Sequence, residues 1–230
     1  MLNHKKETEN FISTLRSLHF ENAFNPYAEA CEDYDKKDAA NIRVRNLKLV
    51  LESALQNGVD SIWIARDLGY RGGRRTGLAL TDELHLNNHA NLFNTKPLMR
   101  ATKGPAVAER TASVVWQMLD LINRPIFLWN VFPLHPHEAH APMSNRCHTR
   151  QEKIACEPIL LWLLQALQPK HIVAIGRDAQ KSLEDMGILA ECVRHPSYGG
   201  QTEFIETLSS IYDLTHRTES KKQYKQVAML

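Results

Sequence analysis

The amino-acid sequence predicts a single α/β domain in which helices cover both faces of a four-stranded parallel sheet. Four short apolar segments with the composition of buried strands alternate with longer segments of helical periodicity, and such alternation is typical of parallel sheets. The chain has 230 residues, of which 43% are hydrophobic and 23% charged. It is long enough for one substantial core and contains no repeat or linker that would divide it. We therefore interpret residues 1–230 as one domain.

The elements follow in order along the chain. Apolar periodicity predicts two opening helices at about 5–19 and 38–57, and the first is expected to be peripheral, within residues 1–20. Strands are predicted for SIWIA, PIFLWNV, HIVAIG and ECVRH, at 61–65, 125–131, 171–176 and 191–195. The intervening and closing helices are predicted at 105–122, 150–167, 177–187 and 201–216. Residues 218–230, which include KKQYK, are expected to be a frayed tail.

Composition narrows the class of protein. The formal net charge is only +2, so nucleic-acid binding would have to come from local basic loops. The polar amino terminus lacks the apolar stretch of a signal peptide, and the densest apolar run, 159–164, is too short to span a bilayer. The four cysteines lie far apart without paired spacing, which indicates reduced thiols. We expect a cytoplasmic protein with no membrane partner.

Three loops with unusual chemistry follow the first, second and last predicted strands. They are residues 66–82, 130–148 and 195–201. In parallel sheets of this kind the active site lies at the carboxyl ends of the strands. The three loops are therefore expected to meet at one edge of the sheet.

The first loop combines glycines with arginines. Its segment GYRGGRRTG, residues 69–77, allows close approach of the backbone to a ligand, and Arg71, Arg74 and Arg75 supply positive charge. Asp67 stands at the end of the preceding strand, where a side chain points into the cleft. The loop suits phosphate contact. A solvated basic turn capped by Asp67 is an equally good interpretation.

The second loop begins with an amide and continues with three histidines. Asn130 ends an apolar strand, and a buried amide offers the donor and acceptor that read a base edge, although a loop anchor bonded to the backbone is the alternative. His135, His137 and His140 do not have a recognised zinc spacing, and Pro136 disfavours placing them on one helical face. We expect no metal. A metal-dependent hydrolase or nuclease built on these histidines stays an alternative.

The third loop places a histidine directly after the last predicted strand. His195 precedes a Pro-Ser turn that fixes the backbone, and Arg194 stands beside it. Gly199 and Gly200 then leave room for a ligand to approach. A lone histidine is usually structural, but this position favours a site residue.

Taken in order, these motifs resemble those of the uracil-DNA glycosylase superfamily. The most specific elements are GYRGGRRTG, WNVFP and RHPSYGGQ, at 69–77, 129–133 and 194–201. The resemblance extends from NPY at 25–27 to the closing helix. It implies a three-layer α/β/α sandwich with a four-stranded parallel sheet. It also implies a monomeric, monofunctional DNA glycosylase that needs no metal or redox cofactor and acts on a pyrimidine nucleotide flipped out of DNA.

The resemblance also implies roles for individual residues. Asp67 matches the water-activating carboxylate, Asn130 the amide that reads the base, and His195 the imidazole that contacts the O2 atom of the base. The base pocket would further include Leu68, Tyr70 and Leu80. The expected DNA contacts are Arg71, Arg74, Arg75, Arg194, Ser197, Tyr198, Gly199 and Gln201, of which 198–201 match the loop that enters the duplex.

Two departures from the family pattern bear on the substrate. Leu68 replaces the usual proline, and Leu80 replaces the aromatic residue that stacks on uracil. Without this ring the site loses a stacking interaction worth about 1–3 kcal/mol per base. The pocket also becomes larger. We therefore hypothesise a bulkier modified pyrimidine as substrate, such as the decorated cytosines of phage DNA, and a role in defence as an alternative to repair.

Two further possibilities follow from the resemblance. The same departures are also compatible with a catalytically silent DNA-binding protein that recognises a modified base.

Some branches of the family carry a four-cysteine iron–sulfur cluster, and Cys156 and Cys31 match ligand positions. The paired amino-terminal cysteines are absent, and Phe132 and Pro133 occupy the place of another ligand, so no cluster is expected.

Overall fold

The structure, a computed structural model, describes the backbone of residues 2–214 and the side chains of residues 5–214. The tail predicted at 218–230 lies outside the described residues. The helices are α1 (Leu2–Ser17), α2 (Ala39–Asn57), α3 (Gly73–Thr76), α4 (Leu86–Leu92), α5 (Arg110–Ile122), α6 (Arg150–Leu167), α7 (Arg177–Asp185) and α8 (Gln201–Ile211). The strands are β1 (Ala23–Phe24), β2 (Ser61–Asp67), β3 (Ile126–Phe132), β4 (His135–Pro136), β5 (His171–Ile175) and β6 (Glu191–Val193).

The four predicted strands form one parallel sheet in the order β3-β2-β5-β6. The register aligns Ala65 of β2 with Asn130 of β3, and Ile175 of β5 with Val193 of β6. The short strands β1 and β4 pair antiparallel in a separate ribbon. Because all four main strands run in the same direction, their carboxyl ends share one edge, and the loops that follow them start there.

Helices pack on both faces of this sheet. One core cluster joins the side of β2 that carries Ile62 and Ile64 to α1, α2, α6 and α7. A second cluster joins the side that carries Trp63 to α5 and α8. Alternate residues of a strand point to opposite faces, so these clusters lie on opposite sides of the sheet. The predicted three-layer α/β/α sandwich is confirmed. Within the described part of the chain, no helix has both the length and the apolar character needed to cross a membrane.

The first helix, predicted to be peripheral, packs one side against the core. Phe11, Ile12 and Leu15 of α1 are buried in the first core cluster. The ring of Phe11 lies 5.6 Å from that of Trp129 on β3, measured between centroids. Leu15 follows Phe11 by four positions and Ile12 by three, so these side chains share the side of the second half of α1 that contacts the core.

Of the element boundaries that differ from the prediction, two bear on the first motif loop. The helix expected at 105–122 begins only at Arg110, because the backbone N–H groups of Val107 and Glu109 donate to the carboxylates of Glu83 and Asp82. These bonds hold residues 105–109 as a loop against the first motif. The first strand extends two residues beyond its predicted end, so that Asp67 is its last residue.

The first motif loop is supported by His89 of α4. Its ring Nδ1 shares a hydrogen bond of 3.1 Å with the hydroxyl of Thr81. Burial lowers the pKa of His89 to about 3. The folded protein therefore keeps this ring neutral, whereas in the unfolded chain it takes up a proton near pH 6.5. The resulting stability is complete above about pH 6.5 and is lost as the pH falls towards about 3.

We expect the free energy of unfolding to fall by up to about 1.4 kcal/mol per pH unit on account of His89 below pH 6.5. Urea unfolding at several pH values between about 7.5 and 5 measures this slope. The His89→Gln variant cannot bind the proton, so its stability should approach that of the natural protein as the pH falls. The same substitution at the exposed His140 is the control. A difference between the proteins that stays constant with pH would contradict the prediction.

Candidate active site

The carboxyl edge of the sheet carries the three residues with the strongest predicted roles. Asp67 ends β2, Asn130 lies two residues before the end of β3, and His195 follows β6 by two residues. Between β2 and β6 stands β5, which is followed by Gly176. A Cβ atom at Gly176 would lie 3.3 Å from the Cβ atom of His195. The glycine therefore lets the His195 loop approach the end of β5 closely.

Arg66 forms ion pairs with two carboxylates, one of which is that of Asp67. Its Nε donates to Oδ2 of Asp67 at 2.5 Å, and its Nη1 donates to Asp178 of α7 at 2.7 Å. Burial lowers the pKa of Arg66, but the bonds to Asp178 and Asp67 outweigh burial and raise it. The charge of Arg66 also acts on His195, where it adds to the effect of burial in lowering the pKa. One guanidinium therefore acts on both predicted catalytic residues.

His195 is held as a neutral hydrogen-bond donor. Its Nδ1 accepts the backbone N–H of Ser197 at 3.2 Å and lies 2.7 Å from the Ser197 hydroxyl. A neutral imidazole whose Nδ1 accepts a bond carries its proton on Nε2. The lowered pKa of His195, caused first by burial, favours this neutral form. The ring is thus prepared to donate from Nε2 without carrying a positive charge.

Asn130 is the most unusual polar residue of the sheet. Its side chain is 1% exposed, and neither the oxygen nor the nitrogen of its amide bonds to any residue in the described part of the chain. Buried polar groups in folded proteins are nearly always paired, and an unpaired one costs about 1–3 kcal/mol. The protein therefore leaves both functions of this amide free for a ligand. This favours base recognition over the loop anchor that the sequence left as an alternative.

The two leucines that depart from the family pattern are both buried in the second core cluster, with Ala65. Leu80 adopts the left-handed backbone conformation, with φ +52°. Leu68 lies so close to the next turn that a Cβ atom at Gly73 would come within 2.4 Å of its Cδ2. Because Ala65 pairs with Asn130 across the sheet, this apolar surface lies next to the free amide.

Direct hydrogen bonds join the first and second loops. The backbone N–H of Tyr70 donates to the side-chain oxygen of Asn145 at 3.0 Å, and that of Leu68 donates to the carbonyl of Leu134 at 3.2 Å. Tyr70 also lines a cavity of about 270 Å³ with Tyr34, Arg71, Arg75, Val107 and Met143. The expected meeting of these loops is therefore present.

The outer surface of the site carries the remaining predicted DNA contacts. Arg71 and Arg194 are exposed, and Arg194 forms a surface ion pair with Glu203 at 3.0 Å. Tyr198 is 100% exposed and has a left-handed φ of +51°, and Gly199 follows it with φ +79°. Gln201 begins α8. This tight turn holds an aromatic ring away from the protein.

Arg74 and Arg75, two of the predicted phosphate contacts, are both buried. The guanidinium of Arg74 stacks 4.0 Å from the ring centroid of Phe24. Arg75 forms an ion pair with Glu83 at 3.0 Å and a hydrogen bond to Thr102. Both partners of Arg75 lie outside the motif, so the motif alone could not reveal that this charge is used inside the protein.

The three histidines of the second loop differ in their surroundings. His135 is buried, its Nε2 bonds to the carbonyl of Ser144 at 2.8 Å, and burial lowers its pKa to about 4. His137 bonds to the backbone of Glu138, and His140 is exposed. Within the described residues, no three ligating side chains are arranged to hold a metal ion.

The sequence analysis missed two residues of the site. Neither Arg66 nor His148 is among the residues that the motifs single out. His148 Nδ1 bonds to Oδ1 of Asp67, so the carboxylate lies between an imidazole and a guanidinium. His148 is separated from Asp67 by 81 positions. No local pattern in the sequence indicates this contact.

Comparison with known proteins places the chain in a family. The family described as the uracil DNA glycosylase superfamily matches residues 74–229, well over half of the chain. Among solved structures, the crystal structure of wild-type SMUG2 from Pedobacter heparinus is similar in fold, with a TM-score of 0.60 and 14% sequence identity. The match covers 91% of this chain and 98% of that one. A search of curated proteins finds no match. The chain belongs to the uracil DNA glycosylase superfamily and is a DNA glycosylase, a hydrolase of N-glycosyl bonds.

Proposed function

We propose that the enzyme is a monofunctional glycosylase that hydrolyses the N-glycosidic bond of uracil or of a bulkier modified pyrimidine in DNA and leaves an abasic site. The observation that carries this proposal is the free, buried amide of Asn130 at the same sheet edge as Asp67 and His195. An amide provides one donor and one acceptor, as a pyrimidine edge requires. The proposed partner is DNA, bound by a single copy of the enzyme.

In the proposed reaction, one residue stabilises the positive charge that develops on the sugar and another stabilises the negative charge that develops on the base. Breaking the bond from C1′ to the base leaves a sugar with the character of an oxocarbenium ion and a base with negative charge. The carboxylate of Asp67 stabilises the cation, and the Nε2–H of His195 donates to O2 of the departing base. A neutral imidazole suits this task because the bond to O2 strengthens as charge develops there. No lysine stands at a motif position to form a Schiff base, so strand cleavage is not expected.

Access to the base requires that the nucleotide leave the helical stack. The exposed ring of Tyr198 and the adjacent Gly199 are the proposed segment that enters the duplex. Arg71 and Arg194 are the proposed phosphate contacts, because they are the motif arginines with exposed side chains. Ser197 supports this segment through its bonds to His195. Gln201, the first residue of α8, completes the proposed DNA-facing surface.

The proposed preference for a bulky pyrimidine depends on Leu80. An aliphatic side chain there leaves the flipped base without an aromatic platform, and this leaves space for a substituent on the ring. Decorated cytosines of phage DNA are pyrimidines of this class. A role in defence against such DNA is therefore proposed as the alternative to the repair of uracil.

Base release from defined DNA tests the proposed function. Matched duplex oligonucleotides would carry uracil, 5-hydroxymethylcytosine or its glucosylated form at one position, with a chelator present. We expect free base, detected by mass spectrometry, and a strand that breaks only after treatment with alkali. Release that survives the chelator would eliminate the metal-dependent alternative. The absence of free base from every substrate would overturn the proposal.

Replacement of Leu80 by phenylalanine should shift specificity towards uracil. The added ring restores stacking worth about 1–3 kcal/mol and fills the space needed by a substituent. We expect the ratio of kcat/KM for uracil to that for the bulky base to rise by about tenfold or more. The control is Leu84→Phe, the same change at a nearby leucine that is 54% exposed. An unchanged ratio in Leu80→Phe would reject the enlarged pocket.

A further inference from the structure

The carboxylate of Asp67 has both oxygens engaged by side-chain donors. His148 Nδ1 bonds to Oδ1, and Arg66 Nε donates to Oδ2 at 2.5 Å. The Asp67 side chain is only 6% exposed, and that of His148 only 9%. Because both of its oxygens accept hydrogen bonds from side chains, this carboxylate is held in a fixed position beside the imidazole. It is better suited to orient a neighbouring group than to remove a proton from water.

The imidazole of His148, by contrast, keeps one ring nitrogen free to accept a proton. With its Nδ1–H donated to Asp67, a neutral ring presents Nε2 as a free acceptor. This nitrogen makes no hydrogen bond with any of the residues that the structure describes. The arrangement is that of an acid–base pair in which the carboxylate fixes the tautomer and the outer nitrogen acts as the base.

The segment that carries His148 is held firmly on both sides. Arg146 forms a two-pronged ion pair with Glu152, at 2.6 and 2.8 Å. Thr149 caps the first turn of α6, since its hydroxyl accepts the N–H of Glu152 and its own N–H donates to the Glu152 carboxylate. The ring of His148 also lies beside that of Phe132, with centroids 5.9 Å apart. A catalytic base needs such fixed geometry.

We infer that His148 is the general base that accepts a proton from the attacking water, and that Asp67 positions it. This inference rests on the proposed function. The bond between C1′ and the base breaks, and its electron pair leaves with the base. A lone pair of the water oxygen forms the new bond to C1′, and a water proton moves to Nε2 of His148. Asp67 stabilises the resulting imidazolium as well as the cationic sugar, and the proton is then released to solvent.

Substitution of His148 by asparagine separates the two possible roles. The amide nitrogen of asparagine can replace Nδ1 as a donor to Asp67, but asparagine has no basic nitrogen at the Nε2 position. If His148 is the base, we expect kcat to fall by about 10²–10⁴-fold, with KM and the affinity for uncleaved DNA unchanged.

The control is His19→Asn, the same change at an exposed histidine, which should keep full activity. A second variant, His148→Ala, should regain activity when free imidazole is added, because imidazole supplies the missing base. If His148→Asn releases base within a few-fold of the natural enzyme, His148 only positions Asp67 and the inference is overturned. That result would leave the proposed function intact. Failure of the natural enzyme to release base from any of the three DNAs would instead remove both.

Discussion

Substitution of Asp67 by asparagine should nearly abolish base release while DNA binding is retained. The amide is similar in size, but it cannot compensate the cationic sugar or orient His148 through a negative charge. We expect kcat to fall by about 10²–10⁴-fold. The affinity for DNA should stay equal or increase, because a negative charge close to the phosphates has been removed. Single-turnover base release and titration with labelled duplex measure the two quantities separately.

The matched control for this experiment is Asp178→Asn. Asp178 pairs with the same arginine, Arg66, but its side chain is 66% exposed on α7. The change therefore removes the same charge without altering the contact with His148, and activity should change by a few-fold at most. Comparable losses in both variants would indicate that Arg66, and not the carboxylate, carries the effect. A natural protein that binds modified DNA but never releases base would favour the silent DNA-binding alternative.

Substitution of Asn130 by leucine should abolish base release without loss of stability. The amide makes no hydrogen bond within the described residues, so the folded protein loses no bond, and an apolar group of similar volume suits the buried position. We expect the free energy of unfolding to be unchanged or raised by up to about 2 kcal/mol. Base release should fall by at least about 100-fold, because the two bonds to the base edge are lost.

Asn46→Leu is the control for this second experiment. Asn46 is also a buried asparagine, but its amide bonds to both the carbonyl and the N–H of Met99, at 2.7 and 2.9 Å. Its replacement leaves those backbone groups unpaired and should lower the free energy of unfolding by about 1–3 kcal/mol. Urea unfolding compares the two variants. A destabilised Asn130→Leu protein would show that the amide has a structural role.

The parts of the structure that the sequence predicted well are those encoded by local pattern. The apolar runs that contain Trp63 and Leu128 became adjacent parallel strands, and Asp67 and His195 lie at their predicted edge because strand direction fixes where each loop starts. The free amide of Asn130 could be anticipated as a candidate, since a polar residue inside an apolar strand is rare. Its lack of partners could not be predicted, because it depends on every neighbour.

The differences between prediction and structure share one physical cause, which is contact between distant segments. Arg74 resembles a surface charge in the sequence, yet Phe24, 50 positions earlier, covers its guanidinium. Helix α5 starts later than predicted because the carboxylate of Glu83 accepts a hydrogen bond from the N–H of Val107. His148 was overlooked because its partner, Asp67, lies 81 positions earlier, at the end of β2. Long-range hydrogen bonds and ion pairs override local propensity at each of these positions.

The two-pronged ion pair between Arg146 and Glu152 has a consequence for how related proteins can differ in function. It holds His148 directly before α6, whereas Asn130 lies on β3 and His195 follows β6. If these residues have their proposed roles, the attacking water and the base are contacted by separate segments of the chain. A relative that lacked only this ion pair would then be expected to bind the same DNA but to release the base slowly.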